Sequence, residues 1–334
     1  MDFVDFAWRR DPANPVLPPS EAYDRGRCMN PFALERDGEL WLYYSGAGDD
    51  GRQKICLATA PLDAPTALER RGVVLDNGAP GAFDAHWCVL PCVHRIGGRW
   101  HLYYSGHEGS ALGLQSFPGI GLATSDDGIR FSRYSTEPLF SGDRTAEFPA
   151  NRGVAGGGSI VEGTRPDGTK RYRMYYTLAT GSRSDDVFVD QEKHCAVCHS
   201  DDGVRWDDHR LIMSPRPDVP NEDIAVAAPF VFRDGALYRM LYCGIGSRWG
   251  YYSISQAVSR DGYVWERGDG DANLTLSPGR AAWEREMVEY PALLRQGAAW
   301  RLFYCGNGYG RSGIGTAVSA VSAVSAAQPK GPRP

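Results

Sequence analysis

The sequence predicts an all-β fold, a five-bladed β-propeller, and three observations carry that prediction. A Tyr-rich strand recurs five times: W-L-Y-Y-S-G (Trp41 to Gly46), W-H-L-Y-Y-S-G (Trp100 to Gly106), Y-R-M-Y-Y-T (Tyr172 to Thr177), Y-R-M-L-Y-C-G (Tyr238 to Gly244) and W-R-L-F-Y-C-G (Trp300 to Gly306). The anchor tyrosines Tyr44, Tyr104, Tyr176, Tyr242 and Tyr304 lie 60, 72, 66 and 62 residues apart. A proline (Pro31, Pro91, Pro229, Pro291) stands 13 residues before four of them. Such a period, with several short strands per repeat, is the signature of radial repetition around an axis. One strand of every blade then borders a shared channel, where a site is expected.

Each repeat supplies four elements in order. An inner strand ends near the proline, and the Tyr-rich strand follows. The third strand reads I-C-L-A-T, I-G-L-A-T-S, C-A-V-C-H-S, S-Q-A-V-S or I-G-T-A-V-S, and a turn leads to an outer strand. Three of these turns are S-D-D-G-I-R-F (Ser125 to Phe131), S-D-D-G-V-R-W (Ser200 to Trp206) and S-R-D-G-Y-V-W (Ser259 to Trp265). Asp-Gly suits the positive-φ corner of a tight turn, and the closing aromatic is expected to pack between blades. The third repeat replaces the proline with A-G-G-G-S (Ala155 to Ser159) and adds a long polar loop, Thr180 to His194. Small residues on an inner strand serve either a ligand or tight packing.

The fifth repeat stops after Ser319 without an outer strand. The missing piece stands at the other end of the chain. W-R-R-D-P-A-N-P-V-L (Trp8 to Leu17) resembles F-S-R-Y-S-T-E-P-L (Phe131 to Leu139), with seven residues from aromatic to proline in both. The N-terminal strand is therefore expected to pair with the strand around Ile314 to Val318. It would complete the last blade, close the ring and remove an exposed edge. Residues 1–319 read as a single domain, and the small, polar, Pro-containing tail 320–334 is expected to be disordered.

The chain has 334 residues, a net charge of −5 and 23% charged residues, which argues against a general nucleic-acid or acidic-membrane binder. No apolar run reaches transmembrane length, and M-D-F-V-D-F-A-W-R-R lacks the features of a signal peptide, so a cytoplasmic location is expected. Most of the eight cysteines sit within apolar strand patterns and read as buried free thiols. Cys195 and Cys198 form a C-x-x-C, but on a strand residues three apart face opposite sides, so no shared metal is expected.

An acid stands seven residues before the proline in four repeats: Asp24, Asp84, Glu222 and Glu284. Recurrence favours a structural role. The polar residues unique to one repeat are better site candidates: Arg27, Asn30, His86, Trp87, Asp223, Glu286 and Glu289, with Arg152 near the third inner strand and His107 in Y-Y-S-G-H-E. Glu289 lies in V-E-Y-P, on a strand otherwise apolar. Burial there would raise its pKa and suit a proton donor. The bland alternative is an acid paired with Arg285 or Arg295.

N-P-V-L (Asn14 to Leu17), the D-G-x-[LW] lead into Y-Y-S-G, I-G-L-A-T-S and S-x-D-G-x-x-[FW] together resemble the five-bladed propeller glycosidases, such as glycoside hydrolase families 32, 43 and 130. The resemblance covers nearly the whole chain. It implies acids at inner-strand ends, just before a proline. The E-x-P pattern of the proton donor matches Glu289-Tyr290-Pro291. The D-P pattern of the nucleophile or base is not matched: Asn30-Pro31, Leu90-Pro91 and Ala228-Pro229 stand in its place, although family 130 shows N-P in its first blade. The expected function is a glycoside hydrolase-like enzyme acting on a carbohydrate, or a glycosylated or polyol-like small molecule, in the central pocket. Two carboxyl groups normally flank the scissile bond. Glu289 would be the acid, with Asp223, Glu286, Asp24 or Asp84 as its partner. Arg27, Asn30, His86, Trp87, His107 and Arg152 would bind substrate, Trp87 by stacking on a sugar face. No cofactor is expected, and an ion on the axis, as in some relatives, is left open. The alternatives are a non-catalytic carbohydrate-binding propeller that has lost its base, and a propeller enzyme of other chemistry in specialised metabolism.

Overall fold

The computed structural model describes residues 3–4, 6–109, 119–141, 154–182 and 191–320. Arg152 and residues 321–334 lie outside the described residues, as does most of the polar loop of the third repeat. The strands fall into runs that follow the repeats. β1 (Arg9–Arg10) comes first. The first run is β2 (Arg27–Arg36), β3 (Glu39–Ala47), β4 (Gln53–Pro61) and β5 (Glu69–Leu75). The second is β6 (Trp87–Ile96), β7 (Arg99–His107), β8 (Ile120–Ser125) and β9 (Ser132–Arg133). The third is β10 (Val154–Thr164), β11 (Lys170–Ser182), β12 (Gln191–Ser200) and β13 (Asp207–Met213). The fourth is β14 (Ala225–Asp234), β15 (Leu237–Ile245), β16 (Tyr252–Ser259) and β17 (Leu274–Leu276). The last is β18 (Glu289–Gln296), β19 (Ala299–Cys305) and β20 (Ile314–Ala320).

Within each run the strands pair antiparallel in order. β1 supplies the fourth strand of the last run, with Arg9 opposite Val318 and Arg10 opposite Ala317, and Leu17 bridges Ile314. This is the pairing that the likeness of Trp8 to Leu17 to Phe131 to Leu139 predicts. The inner strands β2, β6, β10, β14 and β18 each touch the next, and β18 touches β2. All five contribute to one hollow, whose lining includes Asn30, Leu90, Gly156, Ala228 and Tyr290.

The inner strands do not end at their prolines, as the sequence reading expected. They run on for several residues, because the proline sits in a β-bulge that lifts it out of the ladder, where its missing N–H is not needed. The residue before each proline is left-handed: φ is 51° at Asn30, 60° at Leu90, 51° at Ala228 and 55° at Tyr290. Gly156 takes the same place in the third run with φ 44°. The freed N–H is satisfied by the residue after the anchor tyrosine of the preceding run. Leu90 donates to Ser45 Oγ at 3.1 Å, Ala228 to Thr177 Oγ1 at 2.8 Å and Tyr290 to Cys243 Sγ at 3.1 Å. Asn30 donates to Cys305 Sγ at 3.2 Å, which ties the first run to the last.

The paired tyrosines have separate tasks. The first hydroxyl reaches the Asp-Gly turn of the following run: Tyr43 donates to Gly128 O at 2.7 Å, Tyr103 to Gly203 O at 2.7 Å and Tyr175 to Gly262 O at 3.2 Å. In the turn, Asp127 accepts the N–H groups of Ile129 and Arg130, and Asp202 and Asp261 do likewise. The closing aromatics Phe131, Trp206 and Trp265 pack edge-on against those same tyrosines, as expected for residues between repeats. The second hydroxyl, of the anchor tyrosine, donates to the recurrent acid of its own run: Tyr44 to Asp24, Tyr104 to Asp84, Tyr242 to Glu222 and Tyr304 to Glu284. Each acid is buried and also takes an arginine: Arg70, Arg133, Arg216 with Arg267, and Arg10 respectively. The recurrent acids are structural, and Arg10 on β1 does for the last run what Arg133 does for the second.

All eight cysteines are free and buried. Cys195 packs with Tyr175 and Val226, and Cys198 with Cys92 and Met174, in separate clusters on the two faces of their sheet. The A-G-G-G-S run is closely packed and also borders the hollow, whose lining includes Gly156 and Gly158. A Cβ on Gly158 would collide with the Pro229 carbonyl, and one on Gly156 with the Leu90 side chain. Among the described residues no helix is long and apolar enough to cross a membrane.

Candidate functional site

Glu289 opens β18, opposite Cys305. Its side chain is 0% exposed, and among the described residues neither carboxyl oxygen has a hydrogen-bond partner. The paired alternative is not observed: Arg285 lies 4.0 Å from Glu286, and Arg295 donates to Gly297 O. The two charges that act on Glu289 are both cations, Lys193 and Arg27. Burial outweighs them and pushes the Glu289 carboxyl well above the usual carboxylate range. Burial also pushes the Lys193 ammonium down to about 8, against the pull of Glu289. Burial disfavours the charged form of either group. Lys193 Nζ donates to the Tyr252 hydroxyl at 2.6 Å.

β18 is not regular, so Val288 and Tyr290 do not simply alternate with Glu289. The bulge turns Tyr290 and Pro291 to the hollow shared by the five inner strands, and Glu289, expected to face it, is not part of its lining. Asn30 does line the hollow; it is 3% exposed, and both its amide atoms lack a partner among the described residues. Tyr290 and Tyr309 flank Tyr252, with ring centroids 6.2 and 6.1 Å from it. Tyr309 lies in a one-turn helical segment, α1 (Asn307–Gly310), where Gly308, Tyr309 and Gly310 are left-handed in succession. A left-handed tyrosine costs about 1–2 kcal/mol, and such strain clusters at functional sites.

The structure gathers three of the predicted binding residues into one aromatic patch. The Trp87 and His107 rings lie 4.2 Å apart, and His86 is 5.6 Å from Trp87. Gly109 N–H donates to His107 Nδ1 at 2.9 Å, which leaves the proton of a neutral ring on Nε2. Trp87 stands four residues before Pro91, as Arg27 stands four before Pro31, so the two emerge at the same end of neighbouring inner strands.

Asp223 is half-buried and accepts the Ser247 N–H at 2.7 Å. Glu286 is exposed. Neither is among the charges that act on Glu289. Asp24 and Asp84 are held in the Arg–acid–Tyr sets. Sequence reasoning missed Lys193, Tyr252 and Tyr309. A signal for the first two existed: three residues before the third-strand residues opposite the anchor tyrosines, Cys56, Ala196 and Ser255, the repeats hold Gln53, Lys193 and Tyr252, all buried. Among the described residues no group of three or more His, Cys, Asp or Glu is arranged to hold a metal ion.

No protein-family model matches the chain. An uncharacterised protein of Mycobacterium tuberculosis strain H37Rv is 29% identical over 321 residues, covering 93% of this chain and 99% of that protein. Its counterpart in strain CDC 1551 matches to the same extent. Among solved structures, a protein of GH130, a family of mannoside phosphorylases that contains hydrolases of β-1,2-mannosidic linkages, superposes with a TM-score of 0.72 at 19% identity, covering 95% of each chain. The chain shares its fold with glycoside hydrolases. A glycoside hydrolase assigned in Parabacteroides distasonis gives 0.71 at 17% identity over 95% of this chain and 97% of its own. A GH43 α-L-arabinofuranosidase from Clostridium thermocellum gives 0.58 at 16% identity, over 83% and 81%. At these identities the likeness is one of fold.

Proposed function

We propose that the chain is a glycosidase-like enzyme with Glu289 as its proton donor. In this reading the five runs are blades of a five-bladed β-propeller spanning residues 1–319, closed by β1. Support comes from the Asn30–Cys305 bond between first and last runs, the contact of β18 with β2, and the hollow bordered by all five inner strands. The ligand is a carbohydrate or polyol-like small molecule, with the Trp87–His107 patch as its stacking platform. Eight reduced thiols suit a cytoplasmic setting.

The observation that carries the proposal is the buried carboxyl of Glu289, which has no hydrogen-bond partner among the described residues and whose pKa burial raises. A raised pKa favours the protonated form that a general acid needs to protonate a departing glycosidic oxygen. The test is turnover of Glu289→Gln on a panel of alkyl and 4-nitrophenyl glycosides. Gln keeps the shape but has no proton to give. Turnover of alkyl glycosides should fall by about 10²-fold or more, and that of 4-nitrophenyl glycosides by less, because an activated leaving group needs little protonation. Equal activity of the variant and the wild type on alkyl glycosides would refute the role.

A second reading, a propeller that binds carbohydrate without cleaving it, is favoured by one observation. Asn30 occupies the place of the expected base, and both charges acting on Glu289 are cations. Saturable sugar binding with no turnover across the panel would select it.

A further inference from the structure

Among the described residues, two arginines are left without an acidic partner near Glu289: Arg27, whose charge acts on Glu289, and Arg311, whose charge acts on Arg27. Arg27 opens β2, and Arg311 follows the left-handed segment α1. Gly310 lies so close to β2 that a Cβ on it would strike the Cys28 carbonyl. Arg27 precedes Cys28 and Arg311 follows Gly310, so this contact sets the two side by side, and their like charges act on each other. Among the described residues neither guanidinium has a carboxylate partner or a side-chain hydrogen bond. The half-buried arginines of the repeats behave otherwise: Arg10, Arg70, Arg133 and Arg216 each pair with a buried acid. Two cations held together, with a third, buried Lys193, acting on the same Glu289, destabilise the free protein and favour a bound anion. Glu289 acts on Arg27 but makes neither an ion pair nor a hydrogen bond with it, since both its oxygens lack a partner among the described residues.

We propose that Arg27 and Arg311 bind an anionic group carried by the substrate, a carboxylate or phosphate on the sugar, on the side of Glu289 where Arg27 lies. The guanidinium pair offers the planar, forked donors that suit either oxyanion. Tyr309, in α1 and edge-on to Tyr252, gives the sugar ring an aromatic wall. This inference rests on the reading of Glu289 as the acid of the site, so its test measures binding and not turnover.

The experiment is calorimetric titration of the full-length wild type, Glu289→Gln, Arg27→Gln and Arg311→Gln. The probes are D-glucuronate, D-galacturonate, glucose 6-phosphate, mannose 6-phosphate, the neutral parent sugars and inorganic phosphate. At least one acidic sugar should bind about tenfold or more tighter than its neutral parent to both wild type and Glu289→Gln. Either arginine variant should lose about that factor, while affinity for the neutral parent stays. Arg311 is exposed, so its variant keeps the test valid if Arg27→Gln fails to fold. Acidic and neutral sugars binding alike, or an acidic preference that survives both substitutions, would overturn the inference. So would inorganic phosphate binding as tightly as any sugar phosphate, since the anion would then not be substrate-borne. An acidic preference that depends on the arginines, together with alkyl-glycoside turnover unchanged in Glu289→Gln, would sink the catalytic reading alone.

Discussion

A carboxyl group in a dry pocket without a hydrogen-bond partner holds its proton more tightly than it does in the unfolded chain. For Glu289 the folded pKa lies well above 4.5. Its contribution to stability is therefore fully present below the unfolded value and is lost as pH rises through the folded one. Glu289→Gln removes that slope. The variant should match the wild type near pH 4.5 and become the more stable of the two as pH rises through neutrality. Each kcal/mol of difference moves Tm by about 2–4 °C or less in a chain of this size. Thermal unfolding of both proteins across that range checks this. A variant less stable than the wild type at neutral pH would mean that Glu289 is ionised and paired with Lys193. At this scale the sequence was half legible. Glu289 stands out within E-x-P because its offset is acidic in one repeat only. Lys193 and Tyr252 do not, because they lie on third strands, and their approach to Glu289 depends on how neighbouring runs face each other.

At the scale of elements, the bulges join the runs. The N–H of Ala228 is turned out of the ladder and finds Thr177 Oγ1, a hydroxyl on the preceding run. Thr177→Val keeps the shape and leaves that buried donor unsatisfied. It should cost about 1–3 kcal/mol in urea unfolding. A loss under about 0.5 kcal/mol would show that the bond is not a significant tie. The prolines that mark these bulges are plain in the sequence, but their effect is not. A proline in a strand pattern reads as a strand end, since it removes a ladder donor. Here the ladder skips that position, and the strand continues beyond it. The recurrent acids were legible as structural from recurrence alone, whereas the arginine partners of Asp24, Asp84 and Glu284 were not. Arg70, Arg133 and Arg10 lie 46, 49 and 274 residues from their acids, and no local pattern spans such distances.

At the scale of the molecule, the N-terminal segment and the last run depend on each other. Removing residues 1–17 deletes β1, bares the edge of β20 and leaves the buried acid of Glu284 without Arg10. Breaking such a pair costs at most about 3 kcal/mol here, since Arg10 is partly exposed, and the open edge invites self-association. The truncated protein should unfold at lower urea and form larger species by light scattering. A truncated protein that stays monomeric at wild-type stability would show that β1 is dispensable. The all-β repeat and the pairing of β1 with the last run were legible, because the period, the anchor tyrosines and the split last repeat mark them. The chemistry was less so. A shared fold carries no reaction with it, and Asn30 stands where the resemblance expects a carboxylate.

The central claim is that the fold delivers a protonated carboxyl at Glu289, ready to donate. Infrared difference spectroscopy of wild type against Glu289→Gln at neutral pH measures this most directly. A protonated carboxyl and an ionised one absorb at separate carbonyl frequencies. The claim predicts a protonated-acid band in the wild type that the variant lacks, persisting from the ordinary carboxyl range near pH 4.5 up through neutrality. A difference spectrum containing only the ionised carboxylate at neutral pH would contradict it.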